Sequence, residues 1–274
     1  MRFDPVIKWS GSKRGQSEKI VSYFPKNIDI YYEPFCGSCA VLYQLLNSKD
    51  IKVNRYICSD INNDLIELWR LIQKYPDKLY EDYKIRWSEL NDLSNINLKN
   101  NYYYLTRDNF NKTKNPYLFY FLTRTCFNGL IRYNSKNEFN SPFHFSRPGI
   151  NPNKLKNIIF QWSNKIQDVE FKCCSYGEIQ GDKGDFIYCD PPYFNVKSMY
   201  YGKIDYNEYF NWLRKQKCNY ILSFDGISGD NKCTYVYNVP RDIYDKHIFM
   251  DKEISSFRKL NNEKIYIREL LYIK

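Results

Sequence analysis

The chain has 274 residues, with 41 Lys and Arg against 31 Asp and Glu and a formal net charge of +10. That length suits one large α/β domain or one such domain carrying an insertion, and the charge suits a polyanionic partner such as nucleic acid, although a basic surface that only aids solubility fits the count equally well. No run of about 18 apolar residues occurs, and Met1 to Trp9 is too short and polar for a signal peptide, so a soluble intracellular protein is expected, with no membrane partner. The nine Cys are odd in number and lie on segments that read as buried, where they act as reduced small hydrophobes. Cys36 and Cys39 form one C-x-x-C without a second pair, and His144 and His247 are remote from it, so no metal site is expected.

In chain order, Ile28 to Glu33 is a short run of β-formers, followed by the turn Pro34-Phe-Cys-Gly-Ser38 and a helical pattern from about Cys39 to Asn47. A second strand, Arg55 to Ser59, runs into Asp60, and Leu65, Ile66, Leu68, Trp69 and Ile72 then recur at helical spacing. Two successive strand–turn–helix units predict a parallel sheet. From Pro76 to Phe127 the pattern is mostly helical, and Arg132 to Asn140 has turn formers flanked by aromatics, which predicts a hairpin or ordered loop. The segment 76–145 therefore reads as an inserted, mainly helical domain, with 1–75 and 146–274 as the flanking α/β domain. Strands return at Val169–Lys172, Asp185–Cys189 and Asn219–Ser223, with a helix from Tyr206 to Lys217, and Glu263 to Ile273 alternates as an edge or hairpin strand.

Asp190-Pro-Pro-Tyr193 follows directly on the apolar strand ending at Cys189, where ligands bind in open parallel sheets. Two successive prolines lack N–H donors and stiffen the loop. Asp190 adds an acceptor and Tyr193 a flat face, which are the parts needed to hold an amino group while its ring stacks. The residues alone also fit a Pro-rich turn that closes a strand. Glu33-Pro-Phe-Cys-Gly-Ser-Cys39 is a small-residue turn after the first strand, with Gly37 as its one glycine. Asp60 stands where a carboxylate grips ribose hydroxyls in nucleotide folds, or else caps the following helix. Lys8-Trp-Ser-Gly-Ser-Lys13 is a Gly/Ser turn bracketed by lysines, expected to present Trp9 on its concave side.

Together, Trp9-Ser-Gly-Ser-Lys13, Glu33-Pro-Phe-Cys-Gly-Ser-Cys39, Ser59-Asp60-Ile-Asn-Asn-Asp64, Phe127-Asn-Gly-Leu-Ile-Arg-Tyr-Asn134, Glu138-Phe-Asn-Ser-Pro-Phe143, Asp190-Pro-Pro-Tyr193 and Ser256-Phe-Arg258 resemble, in this order, the motifs of the Dam-type DNA adenine methyltransferases. The resemblance implies a Rossmann-like, seven-stranded methyltransferase sheet with S-adenosylmethionine as cofactor and double-stranded DNA as partner. The chain is expected to act as a monomer in the cytoplasm, on the nucleoid of a prokaryote or in host cytoplasm if viral. It also implies that Trp9, Lys13, Asp60 and Asp190 contact the cofactor and that Glu33 and Gly37 border its methionine end. Asp190 and the Pro191 carbonyl would accept hydrogen bonds from the target amine, in a loop stiffened by Pro192, with the flipped adenine stacked on Tyr193. Residues 76–145 would recognise the target, with Arg132 on a guanine edge, Phe127 as a wedge and Asn128 on the orphaned base. By residue type alone, Phe127 would be core and Asn128-Gly129 a turn. The pattern's last glycine is Cys39 here, which is expected to weaken or reshape cofactor binding. The alternatives are an RNA adenine methyltransferase and a DNA-binding module of the same fold without turnover.

Overall fold

The computed structural model describes residues 3–192, 204–228, 239–250, 253–254 and 266–274. Tyr193 and Ser256-Phe-Arg258 lie outside them. Short helix α1 (Ser17–Val21) leads into β1 (Asn27–Glu33), α2 (Ala40–Leu46), β2 (Lys52–Asp60) and α3 (Asn63–Lys74). Helices α4 (Pro76–Asp92), α5 (Ile96–Thr113) and α6 (Pro116–Thr125) follow, then α7 (Pro152–Lys165). The chain returns to the sheet through β3 (Val169–Cys173), β4 (Phe186–Cys189), α8 (Tyr206–Arg214), β5 (Asn219–Ser228), β6 (Lys246–Phe249), the two-residue β7 (Glu253–Ile254) and β8 (Tyr266–Ile273).

Seven strands form one path in the order β3-β2-β1-β4-β5-β8-β6, with β7 paired to β8 off it. The first five are mutually parallel, and β8 runs antiparallel to both β5 and β6. This is the seven-stranded sheet that the resemblance implies. The order reverses between β1 and β4, so the loops after these two strands diverge and leave a crevice at their carboxyl ends. Glu33 ends β1 and Asp190 directly follows β4.

Side-chain alternation shows why both faces are covered. Phe186 and Tyr188 of β4 join one buried cluster, whereas Ile187 and Cys189 join another. Ile221 and Leu271 face the first cluster, and Tyr220, Leu222, Leu270 and Tyr272 the second. Helix α8 fills the second face with Tyr209, Phe210 and Leu213. The first face carries α2, α3 and α7, and its cluster runs on without a break into Leu79, Tyr83, Tyr103, Phe110 and Phe119 of α4 to α6. Helix α6 is apolar nearly all round and buried from Leu118 to Thr125, so it is the central rod of the helical segment.

Two elements differ from the sequence expectations and a third agrees with them. The C-terminal strand, expected as an edge or hairpin strand, is not an edge: β8 lies between β5 and β6, antiparallel to the preceding β6 and β7, and β6 holds the edge. Helix α7 escaped the reading, although Asn151 caps it by accepting from Asn153 N, and Leu155, Ile158, Ile159 and Trp162 follow at helical spacing. Residues Arg132 to Asn140, expected as a hairpin or ordered loop, form a tight hairpin, with Asn134 N on Glu138 O at 2.9 Å and Asn140 N on Arg132 O at 2.9 Å.

Trp69 connects this packing to the crevice. Its ring lies stacked on Phe171 at 5.6 Å, and its Nε1–H donates to the Gly37 carbonyl at 2.9 Å. Trp69→Phe keeps most of the packing and unties the turn. Denaturant unfolding should show a loss of about 1 kcal/mol, the usual net worth of one such bond. An unchanged midpoint would show that this bond contributes nothing to stability.

Candidate active site

The turn between β1 and α2 has the backbone the motif demands. Gly37 has φ +45°, in the left-handed region, and a Cβ there would stand 3.1 Å from Trp9 Cδ1 and 3.2 Å from Trp9 Nε1. The indole edge of Trp9 therefore lies against bare backbone, where any Cβ would crowd it and the left-handed φ favours glycine. Ser38 Oγ donates to Ser12 Oγ at 2.8 Å, so the N-terminal Gly/Ser turn and the β1 turn close on each other. Gly37 N donates to Asp60 Oδ2 at 3.4 Å, and Asn62 N to Asp60 Oδ1 at 3.0 Å. The cap of α3 is Asn62, whose side chain accepts from Leu65 N at 3.2 Å, and that leaves Asp60 to the crevice.

Cys39 also has a left-handed backbone, with φ +51° and ψ +34°, and this explains the glycine of the family pattern. Its side chain points away from the crevice. It is fully buried in contact with Cys36 and Cys58, and burial pushes all three thiols up, Cys36 to about 12. They are protonated and unreactive at neutral pH. Among the described residues no group of His, Cys, Asp and Glu is arranged to hold a metal.

Lys13, only 6% exposed, stands 3.0 Å from Asp190 Oδ1 and 3.4 Å from Glu269 Oε1. Burial raises the Asp190 carboxyl to about 6, Lys13 opposes the rise, and Glu269 adds to it. Burial likewise raises Asp60 to about 6, against the backbone N–H groups of Asn62, Gly37 and Ile61. Glu33 rises to about 8 through burial, opposed by the Tyr31 hydroxyl that donates to Oε2 at 2.7 Å and increased by the charge of Asp190. The crevice thus gathers Trp9, Lys13, Glu33, Gly37, Asp60 and Asp190 from four separate segments.

Beyond Asp190, the Pro192 carbonyl accepts from the Tyr206 hydroxyl of α8 at 2.6 Å, which fixes the loop from outside. Phe127 is half-buried and stacks on His144 at 5.1 Å, while Asn128 and Arg132 are exposed. Asn128 has φ +54°, and a Cβ at Gly129 would stand 2.8 Å from Lys8 Cβ, so this turn lies directly on the residue before Trp9. Sequence reasoning missed Glu269, Tyr206 and Tyr133. Glu269 reaches the site only through the antiparallel β8, for which sequence spacing carries no signal.

The D12 class N6 adenine-specific DNA methyltransferase family model matches residues 9–224. The chain belongs to this family. It is 35% identical over 228 residues to a type II methyltransferase, M.MjaIII, of Methanocaldococcus jannaschii, covering 76% of each chain. It is 37% identical to a DNA adenine methylase of Haemophilus influenzae, over 70% of this chain and 65% of that one. To a DNA adenine methylase of Escherichia coli K12 it is 32% identical, over 68% of this chain and 64% of the other. The match thus spans just under two thirds of the two bacterial methylases.

Two expectations follow for this D12-class chain. Because the thiol of Cys39 faces the core, Cys39→Gly should leave the Kd for S-adenosylhomocysteine within about twofold and at most relax the turn, as the left-handed backbone suits glycine. A large gain in affinity by calorimetry would instead make Cys39 a lesion in the site. A carboxyl raised to about 6 at Asp190 loses its charge, and with it an acceptor, as pH falls through that value. The single-turnover rate should therefore fall below about pH 6 with a one-proton acid limb. A rate that stays level down to pH 5 would contradict the environment described for Asp190.

Proposed function

We propose that the protein is a site-specific DNA adenine methyltransferase that transfers a methyl group from S-adenosylmethionine to the exocyclic amine of an adenine flipped from the duplex. The preferred site is short and contains G-A, with GATC as first candidate. The observation that carries this reading is the Asp190 carboxylate, fixed by buried Lys13 at the mouth of a parallel-sheet crevice, at the head of a double-proline loop. The family match and the DNA adenine methylases among the relatives favour DNA over RNA as acceptor.

The residues present fit the cofactor. The glycine at 37 leaves open backbone beside the Trp9 indole, Asp60 offers a carboxylate for ribose hydroxyls, and Glu33 is a buried acid able to face a cationic end. When bound, S-adenosylmethionine supplies an electrophilic methyl group on a sulfonium, so the protein need only position and polarise the acceptor. Asp190 accepts one amine hydrogen and directs the nitrogen lone pair. The Pro192 carbonyl is engaged by Tyr206, and the neighbouring Pro191 carbonyl is then the second acceptor. Tyr193 supplies the stacking face. Residues 1–75 and 146–274 carry the chemistry, and 76–145 reads the target through Arg132, with Phe127 as wedge and Asn128 on the unpaired base. Exposed Arg132 suits bidentate contact with guanine, because its backbone is already fixed: its N–H donates to Ser141 Oγ at 3.0 Å, and that hydroxyl donates to the Leu130 carbonyl.

Tritiated methyl transfer onto duplex DNA, set beside RNA of the same sequence, tests the assignment, and transfer to RNA alone would overturn it. Asp190→Ala should stay folded and lose about a hundred- to ten-thousand-fold in rate, the range for losing an oriented acceptor. Arg132→Ala should cost about 1–3 kcal/mol on the preferred site and much less on a duplex already changed at that base pair. If affinity instead drops equally on every sequence, and the slope of log K against log salt falls by about 0.9, Arg132 contacts phosphate.

A further inference from the structure

Hydrogen bonds join the cofactor side of this site to its DNA side. Asn62 is only 2% exposed and serves three groups at once. Its N–H holds Asp60 Oδ1 at 3.0 Å, its Oδ1 caps α3 at Leu65 N, and its Nδ2 donates to the Tyr133 hydroxyl at 3.2 Å. Tyr133 donates onward to Asp64 Oδ2 at 3.0 Å, and Lys114 Nζ stands 3.8 Å from that same oxygen. Tyr133 directly follows Arg132 in the hairpin, and its ring meets the edge of buried Phe139 at 6.1 Å.

We propose that Tyr133 is a positioning residue that couples occupancy of the cofactor crevice to the placement of the recognition hairpin on DNA. The proposal rests on the reading above that this hairpin, through Arg132, contacts the target. A hydroxyl has one proton and two lone pairs, and here Tyr133 spends the proton on Asp64 and one lone pair on Asn62, so its position reports the geometry of both. Asp60 is held by the same Asn62 residue and by Gly37. A ligand whose hydroxyls engage Asp60 restrains that carboxylate, and the restraint passes through two direct hydrogen bonds to the hairpin. The hairpin keeps its own shape independently, because Asn111 of α5 donates to Phe139 O at 3.0 Å and accepts from Phe139 N at 2.8 Å. Tyr133 therefore sets where the hairpin sits against the cofactor loop and does not hold its fold. Ordering this contact once, when the first ligand binds, spares the second ligand that cost, and the effect is reciprocal.

The test measures two ratios by fluorescence anisotropy and calorimetry: the Kd for a duplex with and without saturating S-adenosylhomocysteine, and the Kd for S-adenosylhomocysteine with and without saturating duplex. In the wild-type protein the two ratios should be equal and about three- to tenfold, as expected for one or two buried hydrogen bonds. Tyr133→Phe keeps the ring and should bring both ratios close to one, with each single-ligand Kd within about twofold. Asn62→Ser keeps a capping hydroxyl and loses the amide that reaches Tyr133, so it should do the same. Wild-type ratios of one overturn the proposal. So does a Tyr133→Phe protein with wild-type ratios, or one that loses both single-ligand affinities together, which marks a merely structural role. Arg132→Ala, measured alongside on matched and substituted duplexes, tests the base-reading assignment separately, since its outcome does not depend on the two ratios.

Discussion

One ammonium group, that of Lys13, lies between the carboxylates of Asp190 and Glu269 and fastens three parts of the chain that are remote in sequence. Withdrawing an ion from water costs several kcal/mol, and attraction offsets this only where geometry and further hydrogen bonds are good. Here the offset is incomplete by construction. One cation faces two anions, one oxygen of Glu269 is buried without a hydrogen-bond partner, and Glu33 and Asp60 add further buried acid nearby. Among the described residues, the crevice therefore gathers more carboxyl groups than cations. On the function proposed above, a cationic ligand offsets that imbalance, so the electrostatic cost of gathering these acids becomes part of the affinity for a sulfonium cofactor. The raised carboxyls at Glu33, Asp60 and Asp190 are the signature of this arrangement.

Backbone geometry supplies the second constraint. Between β1 and α2 the chain turns sharply enough to place two residues, Gly37 and Cys39, in the left-handed region within three positions. A Cβ at Gly37 would crowd the Trp9 indole at 3.1 Å. Cys39 has no such neighbour in the crevice and directs its side chain into the core, where a small thiol fits between Cys36 and Cys58. The same conformational demand thus has two outcomes: one position lies against the Trp9 indole, which a side chain would crowd, while the other meets only the cost of the backbone. That cost is about 1–2 kcal/mol for an L-residue, and burial of the thiol offsets part of it.

The parallel half of the fold was legible because each strand is a short apolar run ending in a turn motif. The runs at 28–33, 55–59, 169–172 and 185–189 lie within one to three residues of the bounds of β1 to β4. The antiparallel half was not. Strand β6 reads Lys-His-Ile-Phe, too short and polar to announce itself, and without it β8 reads as an edge or hairpin strand. The site followed the same division. Glu33, Gly37, Asp60 and Asp190 sit on the turns after parallel strands, where position along the chain predicts position in space. Glu269 and Tyr206 enter from β8 and α8 and are fixed by pairing and packing, which no local spacing encodes. Asp60 shows the limit within a motif: of its two readings, ligand group and helix cap, the structure excludes the cap, because Asn62 takes it.

A basic protein with an acidic centre needs an account of how the two coexist. The net charge of +10 attracts phosphates over roughly a Debye length, about 8 Å at physiological ionic strength. The carboxylates do not work against that attraction, because they lie at strand ends with Asp190 18% exposed and Glu33 3% exposed. Glu33, raised to about 8, is also largely uncharged at neutral pH before a ligand arrives. A base swung out of the duplex is neutral and carries its phosphate along the rim. On the reading proposed here, base flipping is what lets a polyanion meet this crevice at all: the phosphates stay on the basic exterior, and only an uncharged ring with an amine donor enters the acidic interior.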